Sequence, residues 1–113
     1  MSTIQGIAQS GLEAATARLS VSANNVANAL TPGFTPSRVA AADVKGGGVS
    51  SAVAPAVDAA AEARADRALL AGSGTDLIGE VVAQSQASQL YQANLATLQT
   101  ADELFQAALK LKP

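Results

Sequence analysis

Apolar residues recur at alternating steps of four and three in two separate stretches of this chain, one near each end. In the first, Ala8, Leu12, Ala15, Leu19, Ser22, Val26 and Ala29 keep that rhythm, which places a single stripe on the face of an α-helix. Ile4, Ile7 and Leu30 widen the stripe at its ends. The spacing predicts a helix from Ser2 to Leu30 that breaks at Thr31-Pro32-Gly33. The break follows because the residue before a proline is pushed out of the α region and glycine supplies the turn.

The second stretch, Asp76 to Leu111, holds the longer pattern. Leu77, Val81, Gln84, Ser88, Tyr91, Leu95, Leu98, Asp102, Phe105 and Leu109 form one seam. Ala87, Leu90, Asn94, Thr97, Ala101, Leu104, Ala108 and Leu111 form another on a neighbouring face. Thr75 or Ser73 is expected to cap the start, with Asp76 and Glu80 near the positive end of the helix dipole and Lys110 and Lys112 near the negative end. At ~1.5 Å per residue such a helix measures about 54 Å. A compact chain of this size has a radius of gyration near 13 Å, so the molecule is expected to be elongated. Two seams on one helix exceed what one antiparallel partner covers, and the pattern points to self-assembly or docking on other helices.

Between the helices the pattern changes. Arg38 to Val44 and Val49 to Val53 carry β-branched residues around Gly46-Gly47-Gly48, which predicts a short hairpin with the glycines as a flexible turn. Val57 to Ala71 is alanine-rich and precedes Gly72; it reads either as a helix with a glycine cap or as a mobile arm. The expected organisation is an N-terminal helix and turn at 1–33, a variable middle segment at 34–74 and a C-terminal helix at 75–113. The fold class is mainly α: an elongated antiparallel pair of long terminal helices, coiled-coil in type, with a short irregular or β-hairpin middle.

Composition narrows the function. Of 113 residues 49% are hydrophobic, but 27 of them are alanine and only Phe34, Tyr91 and Phe105 are aromatic. A buried Leu or Phe contributes roughly 1.5–3 kcal/mol and alanine far less, so a lone copy has a thin core. The net charge is −2, with seven basic residues spread along the chain. No basic stripe exists to neutralise phosphates, which argues against nucleic acid as a partner. Cysteine and histidine are both absent, removing thiolate chemistry and the commonest metal and general-base ligands. The carboxylates lack a pocket, the serines lack a base, and the glycine triplet lacks the lysine of a phosphate loop. No catalytic site, cofactor, metal or small-molecule substrate is expected. Met1-Ser2-Thr3-Ile4-Gln5 begins without a basic segment and apolar run, so no cleaved signal peptide is expected.

One cluster exceeds structural need. Asn24, Asn25 and Asn28 fall within five residues at the predicted helix end, where one cap suffices, and asparagine is a mediocre helix former. They serve either to satisfy free carbonyls or to hydrogen-bond across a packed helix interface and fix register.

The run Asn24-Asn25-Val26-Ala27-Asn28-Ala29-Leu30-Thr31-Pro32-Gly33-Phe34 closely resembles the N-terminal signature of bacterial flagellar rod and hook axial proteins, Asn-Asn-x-Ala-Asn-x-x-Thr-Pro-Gly-Phe. Asp76-Leu77, Tyr91-Gln92-Ala93-Asn94 and Thr100-Ala101-Asp102 look like that family's C-terminal helix. Leu30 stands where the family more often has Asn or Asp, and Thr35-Pro36 replaces a basic pair. In size the chain is nearest to proximal rod subunits, though Gly74-Thr75-Asp76 stands in place of their Pro-Asn-Val segment.

The resemblance implies a structural rod subunit of the flagellar basal body in the periplasm. It implies that the chain is exported by the flagellar type III secretion apparatus without cleavage. Partners would be other copies, other rod and hook subunits and the export apparatus. Asn24, Asn25, Asn28, Phe34, Tyr91 and Asn94 would act at the interface, with Leu12, Leu19, Val26, Leu77, Val81, Leu95, Leu98, Phe105 and Leu109 as its apolar seams. The competing reading is a helical-hairpin adaptor or secreted interaction protein unrelated to motility. Small secreted hairpins of that kind turn at Trp-x-Gly, and this chain has no tryptophan.

Overall fold

The computed structural model describes residues 3–56 and 74–111. In chain order they form α1 (Ile4–Ala27), β1 (Ser37–Asp43), β2 (Val49–Pro55) and α2 (Leu77–Lys110). The predicted helix or arm at Val57 to Ala71 lies outside the described residues.

Helix α1 starts where Thr3 accepts a hydrogen bond from the Gly6 amide at 3.1 Å, a hydroxyl cap of the first free N–H groups. It ends at Ala27, short of the expected Leu30. The Asn28 amide still reaches Asn24 O at 3.1 Å, and the chain then turns through Thr31-Pro32-Gly33. Phe34 N donates to Thr31 O at 3.2 Å, with Gly33 at φ 74°. Proline at the second position and a positive-φ glycine at the third make this a type II turn.

Helix α2 is capped by Asp76, whose Oδ1 accepts from Gly79 N at 3.2 Å. The expected cap, Thr75, instead donates its hydroxyl to Asn25 O at 3.2 Å; Ser73 is not among the described residues. A carboxylate one residue closer to the first turn satisfies the amide and also complements the dipole.

The two helices run antiparallel. Ser22 meets Glu80, Gly11 meets Asn94, and Ile4 shares a cleft with Thr97, Ala101 and Leu104. The molecule measures 71 × 24 × 15 Å with a radius of gyration of 18.5 Å, as elongated as the helix length required.

The hairpin is antiparallel, with Ser37 opposite Pro55 and Asp43 opposite Val49. Its turn closes through Val44 N to Gly48 O at 3.1 Å. Gly46, Gly47 and Gly48 all have φ between 93° and 107°, a conformation side chains rarely adopt. The turn is more than a flexible connector. A Cβ on Gly47 would lie 2.8 Å from Ile7 Cδ1, and one on Gly48 would lie 2.8 Å from Ser10 Oγ. The tip is therefore pressed onto α1. Ser10 Oγ also accepts from Val49 N at 3.1 Å while donating to Ile7 O at 2.7 Å. At the opposite end Asn25 holds Ser37. Fifteen helical residues rise about 22 Å and six strand residues about 20 Å, so hairpin and helix stay in step along their length.

The core is thin, as the alanine count implies. Among the described residues the buried apolar side chains are Ala8, Ala14, Ala15 and Ala87. The inner line of α1 runs through Ala8, Gly11, Ala15, Ser22 and Asn25, not along the large residues of the expected seam. Leu12 is half-buried, and Leu19 and Val26 stand on the exposed flank. Small residues win the inner face because they let the helix axes approach closely. At Gly11 an added Cβ would lie 2.6 Å from Asn94 Cγ, so the Asn94 side chain occupies the space a methyl would need.

Candidate assembly surface

Asn25 is the residue around which the elements are joined. Its side chain is 2% exposed. Nδ2 donates to Ser37 O and to Glu80 Oε1, each at 2.8 Å, and Oδ1 accepts from Ser37 N at 2.9 Å. The carboxamide thus pairs with Ser37 as a neighbouring strand would. Ser37 faces Pro55 at a non-hydrogen-bonded position of the ladder, as the Ala56 N to Pro36 O bond shows, so its N–H and C=O point away from β2 and are free for Asn25. Beside this, Ser22, also buried, donates to Glu80 O at 3.2 Å. One turn of α1 therefore fixes the register of the hairpin and of α2 together.

In the single chain Asn25 is buried and spends its side chain on Ser37 and Glu80. Asn24 and Asn28 do something different again. Asn28 Nδ2 donates to Asn24 O at 3.0 Å and to Asn24 Oδ1 at 2.8 Å, and Thr31 Oγ1 donates to Asn28 Oδ1 at 3.2 Å. These bonds tie off the end of α1. The cluster contains both alternatives at once, with one asparagine across elements and two capping locally.

The C-terminal seams divide in the same manner. Ala87 is buried, and Ala83, Gln84, Asn94, Leu98 and Ala101 are half-buried. Asn94 occupies the close approach to Gly11, and its Nδ2 donates to Leu90 O at 2.9 Å. Leu77, Val81, Tyr91, Leu95, Phe105 and Leu109 remain exposed. The chain thus covers mainly small and polar positions itself and leaves most of the large apolar ones outside. Phe34 is half-buried, and its carbonyl accepts from Gly74 N at 3.1 Å. Ile78, Val82 and Leu104 join the exposed set, although only Leu104 falls on either seam.

Two clefts of about 230 and 380 Å³ lie where α1, the hairpin and α2 meet, with Arg18 shared between them. Glu80, the carboxylate lining the first, already receives the Asn25 amide. No cluster of acidic, histidine or cysteine side chains able to hold a metal occurs among the described residues. No described helix is long and apolar enough to cross a membrane.

Two family models match the chain. "Flagella basal body rod protein" matches residues 7–35, and "Flagellar basal body rod FlgEFG protein C-terminal" matches residues 68–111. No curated protein matches it. The first match spans most of α1 and the turn to Phe34; the second contains all of α2 up to Leu111, so both packed helices and the asparagine cluster fall within them. The chain belongs to the flagellar basal body rod proteins, structural components of the bacterial flagellum.

Proposed function

We propose that this subunit polymerises through the exposed flanks of its two terminal helices, joining other copies and neighbouring rod or hook subunits. The hairpin of β1 and β2 would face outward from the helical layer. Leu19 and Val26 on α1 with Leu77, Val81, Tyr91, Leu95, Phe105 and Leu109 on α2 supply the contacts between copies. Leu12, Asn25, Asn94 and Leu98 hold the single copy together. The observation that carries this reading is the inverted use of side chains. Alanines fill the interior, while most large apolar residues of α2 stay in water, at a cost of roughly 1.5–3 kcal/mol for each one that burial would relieve.

The same thin core supports passage through the flagellar type III export apparatus without cleavage. A fold with no large buried side chain among its described residues opens at little cost and regains stability once neighbours cover it.

Sedimentation of the full chain over a wide concentration range tests the assembly. Association should grow with concentration and vanish in the variant Val81→Asp/Leu95→Asp while far-UV helicity persists. A wild-type chain that stays monomeric throughout would overturn the reading. Export is tested by locating the protein in cells with and without a working flagellar export gate; equal release from both would remove that part.

A further inference from the structure

The outer edge of β1 is an unfinished row of strand-pairing groups. The bonds Ala56 N to Pro36 O and Val44 N to Gly48 O bracket the ladder, so the even-numbered residues of β1 turn their backbone groups towards β2. The odd-numbered ones, Ser37, Val39, Ala41 and Asp43, turn theirs away. At Ser37 both groups are taken by the Asn25 carboxamide. Val39 and Ala41, the next two on the same edge, have no hydrogen-bond partner for theirs.

Beside that edge runs a trough. Val39 lines the first of the two clefts and Ala41 the second, with Ala83 and Leu90 of α2 in the other wall. The strands and α2 stay more than 8 Å apart between Cα atoms, beyond the ~4.8 Å at which strands pair, so α2 does not close the edge. Helix α1 supplies the floor, and its small residues Gly11, Ala14 and Ala15 keep the second cleft deep. Arg18 lines both clefts and Arg38 the first. Neither forms an ion pair among the described residues. Glu80 lies in the first cleft too, but its Oε1 is engaged by Asn25, and two positive charges there stand against one negative.

We propose that this trough binds an extended acidic peptide segment of another protein, added as a strand on the open edge of β1. The peptide backbone pairs with Val39 and Ala41 and continues the row that Asn25 begins at Ser37. A carboxylate on the peptide meets Arg18 and Arg38, whose forked guanidiniums match that group. Small apolar side chains enter the second cleft over Ala14, Ala15 and Leu90. Charge selects the occupant: an acidic segment supplies the counter-charge the two arginines lack, and a basic one would be repelled. No residue assigned above to contacts between copies lines either cleft, and Leu19 and Tyr91 share a separate one. The trough is therefore open in a single copy and is not used by assembly through the flanks.

The probe is a synthetic hexapeptide of alternating valine and alanine with one central aspartate, blocked at both ends and added to the full chain. Hydrogen exchange at the Val39 and Ala41 amides should slow in its presence, while Ala40, already bonded within the ladder, changes little. Lysine in place of the aspartate should weaken binding about tenfold or more, the scale of a charged hydrogen bond. Arg18→Ala/Arg38→Ala, at two exposed positions, should erase that preference. Ala41→Pro removes one outward N–H without touching the bonds to β2 and should abolish binding, with protection at Ala40 showing that the hairpin persists. Unchanged exchange at both amides in millimolar peptide, or equal binding of the aspartate and lysine peptides, overturns the proposal. Slow exchange at these amides in the dilute chain alone overturns it in favour of a segment of the same chain. Protection that rises with protein concentration without peptide overturns it in favour of a second copy. Assembly through the flanks is read separately by sedimentation, so the two proposals fail independently.

Discussion

Asn25 Nδ2 and Glu80 Oε1 meet at 2.8 Å across 55 residues of sequence, and the same amide group also donates to Ser37 O. Removing the amide strips donors from both acceptors at once. Asn25→Ala is expected to destabilise the chain by about 1–3 kcal/mol, the range for a lost hydrogen-bond partner in a buried setting. Asn25→Asp should cost more, because it replaces the donor with a carboxylate facing Glu80. Urea unfolding of the three proteins checks the order; a neutral Asn25→Ala would mean that the hairpin and α2 are held by other contacts.

The Gly11–Asn94 approach gives a second expectation. Alanine is about 1 kcal/mol better than glycine within a helix, so Gly11→Ala should stabilise if space allowed. Here its methyl would force the Asn94 amide aside and break the bond to Leu90 O. The substitution should be neutral or destabilising in the wild type and stabilising by up to about 1 kcal/mol in an Asn94→Ala background. Thermal unfolding of the four proteins in a double-mutant cycle measures this coupling; additive changes would show that the helices do not meet closely at this level.

How far these contacts could be foreseen depends on what each one requires. The two long helices were legible because heptad spacing is local and repeats many times. The hairpin was legible because Gly46-Gly47-Gly48 interrupts two β-rich runs. The heptad stripe of α1 was legible only in part: it contained Ala8, Ala15 and Ser22, which packing buried, together with Leu19 and Val26, which packing left exposed. Gly11, which unlike Gly6 lies beyond the first turn of α1, was the available signal, since a glycine kept inside a helix despite its cost has a packing reason. The asparagine cluster was visible, but its division was not. Asn25 differs from Asn24 and Asn28 only by its angle around the helix, which decides between a neighbouring element and a local carbonyl. The Asn25–Ser37 pairing needs the hairpin already laid along α1, and no local spacing encodes that.

Docking of the hairpin tip separates two effects at neighbouring glycines. Gly46 has φ 98° and open space beyond it, whereas Gly48 has φ 93° and faces Ser10 Oγ. Alanine at either position carries backbone strain of order 1–3 kcal/mol. Gly48→Ala should cost more than Gly46→Ala, because it also displaces the hydroxyl that accepts from Val49 N. Hydrogen exchange at the Val49 amide reads the difference directly: protection should fall in Gly48→Ala and persist in Gly46→Ala. Equal loss in both would assign the whole effect to turn strain.

The chain has one tyrosine and no tryptophan, so Tyr91 emission reports on one place. That place lies on the exposed side of α2, beside Leu19, Ala87 and Gln92 in a shallow cleft, and the ring is 43% exposed. Assembly through this flank removes water and small quenchers from the ring. Acrylamide quenching of Tyr91 should therefore be efficient in dilute protein and fall as the chain associates. It should stay efficient at all concentrations in Val81→Asp/Leu95→Asp, which carries the same fluorophore without the neighbouring contacts. If the wild type associates by sedimentation while quenching stays constant, Tyr91 faces solvent in the assembly. The contacts between copies then avoid this part of the flank, and the proposed role of Tyr91 and Leu95 falls away.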